Sequence, residues 1–270
     1  MSSVKFFFKF FLLLTLSLAL FLPAWSNYPQ RIISGIPSVT EMLFALGLGG
    51  RVVGVTTNCN YPPEAKNKEK VGGFTLNLEK IVYLKPDLII MVEDAQKPEI
   101  EKLRKMDLPV LSINPKTVSG VMDSLIQLGK ATGEREKAER LVWAMKRRLS
   151  AAKPHGLRAI LNLPKVLVVV GMNPLVVAGG GTFIDDIVKY AGGDNIAEKA
   201  KGAYPQFNFE SLAQANPDFI IVPKGMLVKD ERWSWLKAKI CYIDADIISR
   251  PGPRVVDAVE QIAGFIHDKN

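Results

Sequence analysis

Asn77-Leu78-Glu79 and Pro86-Asp87-Leu88-Ile89-Ile90 return later in the chain as Asn208-Phe209-Glu210 and Pro217-Asp218-Phe219-Ile220-Ile221. Asn, Glu, Pro, Asp and Ile recur in register at a constant offset of 131 residues. That offset is too long for a stacked solenoid unit and suits one lobe of a two-lobed protein. Each copy reads as a short capped helix, a turn closed by proline and then a buried strand. Turn chemistry accounts for the Pro-Asp pairs. The matching glutamates, Glu79 and Glu210, have two readings: first-turn carboxylates favoured by the helix dipole, or a functional residue needed once per lobe.

The first 26 residues read as an export signal outside the fold. Lys5 and Lys9 form a positive leader, Phe10 to Leu22 an apolar stretch, and Ala24-Trp25-Ser26 precede a cut before Asn27. The apolar run falls short of the roughly 20 residues that span a bilayer, so an uncleaved anchor is the lesser reading. No cysteine follows it, which argues against lipid anchoring. The expected mature chain is therefore soluble and exported.

About 244 residues then remain, enough for two cores of roughly 100 residues each. The formal charge of +8 drops to about +6 once the leader lysines are removed. Export makes nucleic acid a poor partner for that charge. Lys146, Arg147 and Arg148 cluster near Glu134, Glu136 and Glu139, which reads as a solvated helix face. Cys59 and Cys241 lie in different halves; free thiols are expected, and a bridge would lock the halves together. His155 and His267 are the only histidines, too few for the imidazole cluster of a zinc or manganese receptor.

Both halves alternate β-rich runs with amphipathic helices, an α/β pattern. Strands are predicted at Arg31–Ile36, Val52–Thr56, Leu88–Val92 and Val110–Ile113, then at Val166–Val170, Phe219–Val222 and Cys241–Ile243. Ser38 and Glu41 have the spacing of a capping box ahead of Met42, Leu43 and Leu46. Helices are also predicted at Phe183–Ala191 and Arg254–His267. From Glu134 to Ala152, apolar residues at Ala138, Leu141, Val142, Met145, Leu149 and Ala152 follow a 3.6-residue stripe. Such a helix would span roughly 28 Å. It is predicted to act as a strut between the lobes, the alternative being a crossover helix packed on one sheet. The predicted division is a leader at 1–26, a first lobe at 27–133, a joining helix and linker at 134–157 and a second lobe at 158–270.

Further stretches carry a resemblance. Arg31-Ile-Ile-Ser-Gly-Ile-Pro-Ser38-Val-Thr-Glu41, Tyr61-Pro-Pro-Glu-Ala65, Val71-Gly-Gly-Phe74 and Asn77-Leu-Glu79 resemble the first lobe of helical-backbone substrate-binding proteins of ABC importers. Ala178-Gly-Gly-Gly-Thr182-Phe-Ile-Asp-Asp186 and Ala191-Gly-Gly-Asp-Asn195 resemble their second lobe. The match covers essentially the whole mature chain, in order. It is nearest to the periplasmic cobalamin-binding proteins, with haem and ferric-siderophore receptors as cousins.

The resemblance implies two Rossmann-like α/β lobes joined by one long helix, with a ligand cleft between them. It implies that Glu79 and Glu210 dock onto arginines of a membrane permease dimer, giving the repeated motif a function beyond capping. The implied cargo is cobalamin or a related corrinoid; no resident cofactor or metal is expected, and the chain is expected to be monomeric. A large flat amphipathic ring suits aromatic walls and a few polar groups. Tyr61 matches a family tyrosine against the ligand. Phe74 and Tyr204 stand where the cobalamin proteins often carry tryptophan, and Phe207 is a further candidate wall. Each of these aromatics has half-packed core as its alternative. Asp246 and Arg250 match cleft-mouth residues able to bond corrin amides, whereas Arg254 reads as structural. Trp233 and Trp235 are left unassigned, and Cys59 is a bystander thiol by default.

Enzyme signatures are weak. Gly179-Gly180-Gly181-Thr182 lacks the lysine of a P-loop and reads as a tight loop entering a helix, with backbone N–H groups near the cleft. No nucleophile elbow or metal-binding histidine pair is present. An exported chelatase acting on a tetrapyrrole is the enzyme alternative.

Overall fold

The computed structural model describes residues 28–73, 75–154, 162–226, 231, 233 and 236–267. The expected leader, Phe74, His155 and Trp235 lie outside them. Among the described residues no helix is long and apolar enough to cross a membrane.

The first lobe carries a parallel sheet of five strands: β1 (Ile32–Ser34), β2 (Val52–Val55), β3 (Glu69–Lys70), β4 (Leu88–Val92) and β5 (Val110–Ile113), in the order β3-β2-β1-β4-β5. Its helices are α1 (Pro37–Ala45), α2 (Leu78–Tyr83), α3 (Glu93–Lys105) and α4 (Val118–Thr132). After α5 (Arg135–Ala152) the second lobe builds another five-stranded sheet. Its strands are β6 (Lys165–Met172), β7 (Leu175–Val177), β8 (Asp194–Asn195), β9 (Phe219–Pro223) and β10 (Lys239–Ile243). The order is β10-β9-β6-β7, with β8 beside β6, and only the β6–β7 pairing is antiparallel. The helices of this lobe are α6 (Phe183–Tyr190), α7 (Phe209–Ala215), α8 (Ala245–Ser249) and α9 (Val255–His267).

The period-2 alternation of strands sorts the core into layers. Ile32 and Ile90 face a central cluster, whereas Ile33, Ile89 and Met91 face the outer side of the first sheet. In the second lobe Val166, Val168 and Ile221 join the same central cluster, while Leu167, Val169, Ile220 and Val222 face outward. Helix α5 contributes Ala138, Val142, Met145 and Leu149 to that shared cluster. It packs against α4 on one side and α9 on the other, so the predicted strut is a joint that presses its apolar stripe against both lobes.

The repeat is legible atom by atom. Asn77 caps α2 by accepting from the Lys80 N–H at 2.9 Å, and Asn208 caps α7 by accepting from the Ser211 N–H at 2.7 Å. Ile81 and Leu212 are fully buried below their respective sheets. Lys85 and Asn216, each directly before the repeated proline, both sit in the left-handed region at φ 45°. Asp87 accepts from the N–H groups of Gln30 (2.7 Å) and Arg31 (2.8 Å), and Asp218 accepts from that of Lys165 (2.7 Å). Each aspartate thereby ties its own strand to the start of the strand beside it.

The structure corrects the start of α1. Ile36, not Ser38, is the N-cap, with Pro37 in the first turn and no side-chain capping bond. Proline suits that position because its φ is already helical and its missing N–H is not needed. Ser38 and Glu41 are instead buried inside the helix. Strand β1 is also shorter than predicted, because the chain turns into α1 directly after it.

Replacing Asn77 or Asn208 by alanine should lower stability by about 1 kcal/mol each, and replacement by glycine by only a few tenths. Urea unfolding of the single variants checks this; a loss at one site only would break the equivalence of the two copies.

Candidate functional site at the junction of the lobes

Glu41 projects from α1 with 3% of its surface exposed. Arg254, from the turn leading into α9, grips it with both arms: Nε donates to Oε2 at 2.8 Å and Nη2 to Oε1 at 2.6 Å. Arg250 reaches the same carboxylate through Nη1 at 3.3 Å. A buried carboxylate needs such partners, since desolvation alone would penalise its charge. The hydrogen bonds to Glu41 hold the Arg254 guanidinium above its ordinary pKa, against the opposing effect of burial.

Arg250 continues the network outward. Its Nη1 donates to Asn60 Oδ1 at 2.7 Å, and its Nη2 lies 2.8 Å from Asp246 Oδ1. Asn60 Nδ2 then donates to Asp246 Oδ2 at 3.3 Å, closing a ring of three side chains. Asp246 is fixed in turn by α8, whose first N–H groups, those of Asp246 and Ile247, bond to Asp244 Oδ1. The Arg254 guanidinium stacks on the Tyr61 ring at 3.9 Å from its centroid. A planar guanidinium suits such stacking. Glu41, Asn60 and Tyr61 come from the first lobe; Asp246, Arg250 and Arg254 come from the second. Two guanidinium charges meet two carboxylates, so the cluster is neutral as a whole.

Other ties reinforce the junction. Asp186 of α6 accepts from the Val118 N–H at 2.7 Å, so the start of α4 is capped from the opposite lobe. Arg148 of α5 bonds Asp257 at 2.7 Å and Glu260 at 2.8 Å on α9. That cation is part of the joint rather than of a purely solvated face. A cavity of about 490 Å³, mostly apolar, lies between α1, α5 and the start of α9, with Tyr61 and Arg254 on its wall.

Three sequence candidates, Tyr61, Asp246 and Arg250, thus meet in one cluster. Tyr61 and Tyr204 are both well exposed, at 43% and 55%. Tyr204 stands on a separate loop that rests on the glycine run. There the Gly179 N–H donates to the Ala203 carbonyl at 2.9 Å, and a Cβ at Gly180 would strike the Glu198 carbonyl oxygen at 2.2 Å. The Gly181 N–H is taken by Asp185 at 3.0 Å. The glycines therefore seat a loop, and these two N–H groups are already engaged. Phe207 is half-buried against the outer cluster of the second sheet, and Trp233 is buried there edge-on to Phe209, with centroids 5.4 Å apart. Cys59 is a core thiol 3.1 Å from the hydroxyls of both Thr40 and Thr56, and it and Cys241 are free. His267 bonds the Ala191 carbonyl at 2.9 Å, a packing role. Glu79 and Glu210 are exposed in the first turns of α2 and α7, and neither carboxylate has a hydrogen-bond or ion-pair partner among the described residues.

Sequence reading missed Asn60 and misassigned Glu41. Asn60 had no motif to mark it, apart from its place directly before Tyr61. Glu41 carried a signal, the one charge on a helix whose neighbours Met42 and Leu43 are buried, which calls for a cation or donors from elsewhere in the fold.

Residues 32–262 match the periplasmic binding protein family, and the chain belongs to it. The ABC transporter substrate-binding lipoprotein YvrC of Bacillus subtilis, itself uncharacterized, is 34% identical over 253 residues, covering 88% of this chain and 80% of the relative. The crystal structure of the periplasmic vitamin B12-binding protein BtuF of Vibrio cholerae superposes with a TM-score of 0.76 at 27% identity, covering 88% of this chain and 96% of that one. The periplasmic haem-binding protein RhuT of Roseiflexus sp. RS-1 superposes with a TM-score of 0.72 at 25% identity, covering 87% and 96%. Two lobes joined by a long helix are thus shared with extracytoplasmic binding proteins of ABC importers. Such proteins deliver their cargo to a membrane permease.

Glu41→Ala should cost about 3–5 kcal/mol, because it leaves two guanidinium groups partly buried without their carboxylate. Urea unfolding measures it; a change below about 1 kcal/mol would mean that the pairing is no stronger than a surface salt bridge.

Proposed function

We propose that the protein is the periplasmic substrate-binding component of an ABC importer. In this reading it captures cobalamin or a related corrinoid between lobes 27–133 and 158–270, joined by 134–157, and docks on its permease through Glu79 and Glu210. The observation that carries the delivery role is the bareness of those glutamates. Every other member of the repeat serves the fold. Asn77 and Asn208 cap helices, Ile81 and Leu212 pack beneath the sheets, and Asp87 and Asp218 tie strands. The two carboxylates face solvent and do nothing comparable among the described residues.

The neutrality of the junction supports a corrinoid over its rivals. Haem presents propionates, and many ferric siderophores are anionic, so both favour convergent unpaired cations. Here Arg250 and Arg254 are already met by Asp246 and Glu41. Asn60 and Asp246 instead offer amide and carboxylate groups beside the exposed Tyr61, a set suited to the amide rim of a corrinoid. Tyr61, Phe74, Tyr204 and Phe207 are the aromatic walls in this reading, and Asp246 and Arg250 the polar contacts. A haem cargo is the second reading, favoured by the similarity to RhuT. No resident cofactor and no catalysis are part of either.

Calorimetry of the mature protein with cobalamin, cobinamide, haemin and a ferric siderophore tests the cargo. Corrinoid should bind most tightly; binding of a ferric chelate without any response to either corrinoid would sink the assignment. Tyr61→Ala and Tyr204→Ala should each weaken corrinoid binding, on the order of 5- to 150-fold for 1–3 kcal/mol of lost apolar contact.

The docking role is separable. Glu79→Lys with Glu210→Lys should leave cargo affinity and thermal stability near wild type. Association with the permease in nanodiscs should be largely abolished, since like charges at such contacts cost several kcal/mol. Normal docking by that variant, or collapse of cargo binding instead, removes the glutamates from this role.

A further inference from the structure

The repeat diverges in one telling place. On α2, Glu79, Val82 and Tyr83 lie at i, i+3 and i+4 and so share one face. Val82 is 48% exposed and Tyr83 76%, the latter the most exposed large apolar side chain of the described chain. At the corresponding positions of α7, Glu210 is followed by Ala213 and Gln214, also exposed. The buried partners between them, Ile81 and Leu212, are both apolar and fully covered. Packing therefore requires Ile81 and Leu212 and makes no demand for an aromatic at position 83. The ring is nevertheless held: Lys80 Nζ lies over it at 5.5 Å from the centroid and pairs with Glu69 at 2.8 Å. With Lys80 offset by Glu69, the face carries one uncompensated charge, that of Glu79, next to an ordered apolar knob.

We infer that Val82 and Tyr83 form an apolar anchor beside Glu79, which seats the first lobe in a cation-flanked hydrophobic socket on the periplasmic face of the permease, with no counterpart at the matching positions of α7. The inference rests on the docking reading of Glu79 and Glu210 and adds to it an asymmetry between the two feet. The charge on the face selects a basic partner, and the exposed ring supplies the desolvated contact in which binding energy concentrates at interfaces. Tyrosine suits such an anchor, since it brings a large contact area with few rotatable bonds to freeze. The second foot, built from Glu210, Ala213 and Gln214, contributes charge and little apolar area.

The test measures binding of the protein, loaded with cobalamin, to the ABC permease of the same transport system in nanodiscs. Val82→Ser with Tyr83→Ala should weaken docking roughly tenfold, whereas Ala213→Ser with Gln214→Ala should leave it little changed. Cargo affinity should be unaltered in both. If the Glu79→Lys, Glu210→Lys variant loses docking but the Val82, Tyr83 variant keeps wild-type affinity, the anchor is wrong and the docking reading stands. If neither variant loses docking, both fall. Loss of a wild-type dimer by the Val82, Tyr83 variant in light scattering, with docking unchanged, would instead mark the patch as a contact between two copies and overturn the anchor.

Discussion

A single buried carboxylate holds the lobes in register. Glu41 sits on α1, and both of its arginine partners come from the segment between α8 and α9, more than 200 residues later. Burying an ion pair is not by itself a route to stability, because each charge loses its hydration. The geometry here recovers much of that loss. Arg254 meets the carboxylate as a two-pronged fork, Arg250 adds a third bond, and the remaining donors of Arg250 find Asn60 and Asp246. What the arrangement contributes most is specificity of fit. An apolar contact between the lobes would tolerate sliding, whereas a forked guanidinium on a carboxylate fixes both distance and angle. The Asp186 cap on α4 and the Arg148 contacts to α9 set the same relation at two further points. Together with α5, which lends its apolar stripe to a core shared by both lobes, they tie the two lobes to one another at several separate points.

The fold was readable because its signals are local. The unbroken apolar runs Leu88–Val92 and Val166–Val170 mark strands covered on both faces, and their successive side chains do sort between the central and outer clusters. Errors fell at ends, where local signals compete. Ser38 and Glu41 had the spacing of a capping box, yet Pro37 is the better first-turn residue, and the carboxylate was claimed by arginines no local window contains. The site was half readable for the same reason. Tyr61, Asp246 and Arg250 come together as one cluster, but Asn60 closes the ring through a contact across 186 positions of sequence. Trp233 shows the converse: an aromatic that looks available in the sequence and lies buried against the outer core in the fold. Burial is a property of the whole chain, and an isolated aromatic does not declare which side of the surface it will occupy.

The internal repeat allows a comparison that one sequence would otherwise deny. Two copies of the same helix-turn-strand unit, built in one chain on the same fold, reveal which positions the fold constrains. The capping asparagines, the buried Ile81 and Leu212, the left-handed residues before each proline and the strand-tying aspartates recur because the backbone requires them. Exposed positions on which the fold makes no such demand differ between the copies, as Val82 and Tyr83 against Ala213 and Gln214 illustrate. Glu79 and Glu210 break that rule, being exposed and unpartnered among the described residues yet identical. The helix dipole rewards an acidic first turn by about 0.3–1 kcal/mol in typical exposed sites, but it does so equally for aspartate and at neighbouring first-turn positions. A glutamate at the same place in both copies asks for a constraint on side-chain length as well as charge. Nothing among the described residues of either lobe imposes one, and that gap is what supports the proposed docking of both glutamates on a surface outside the chain.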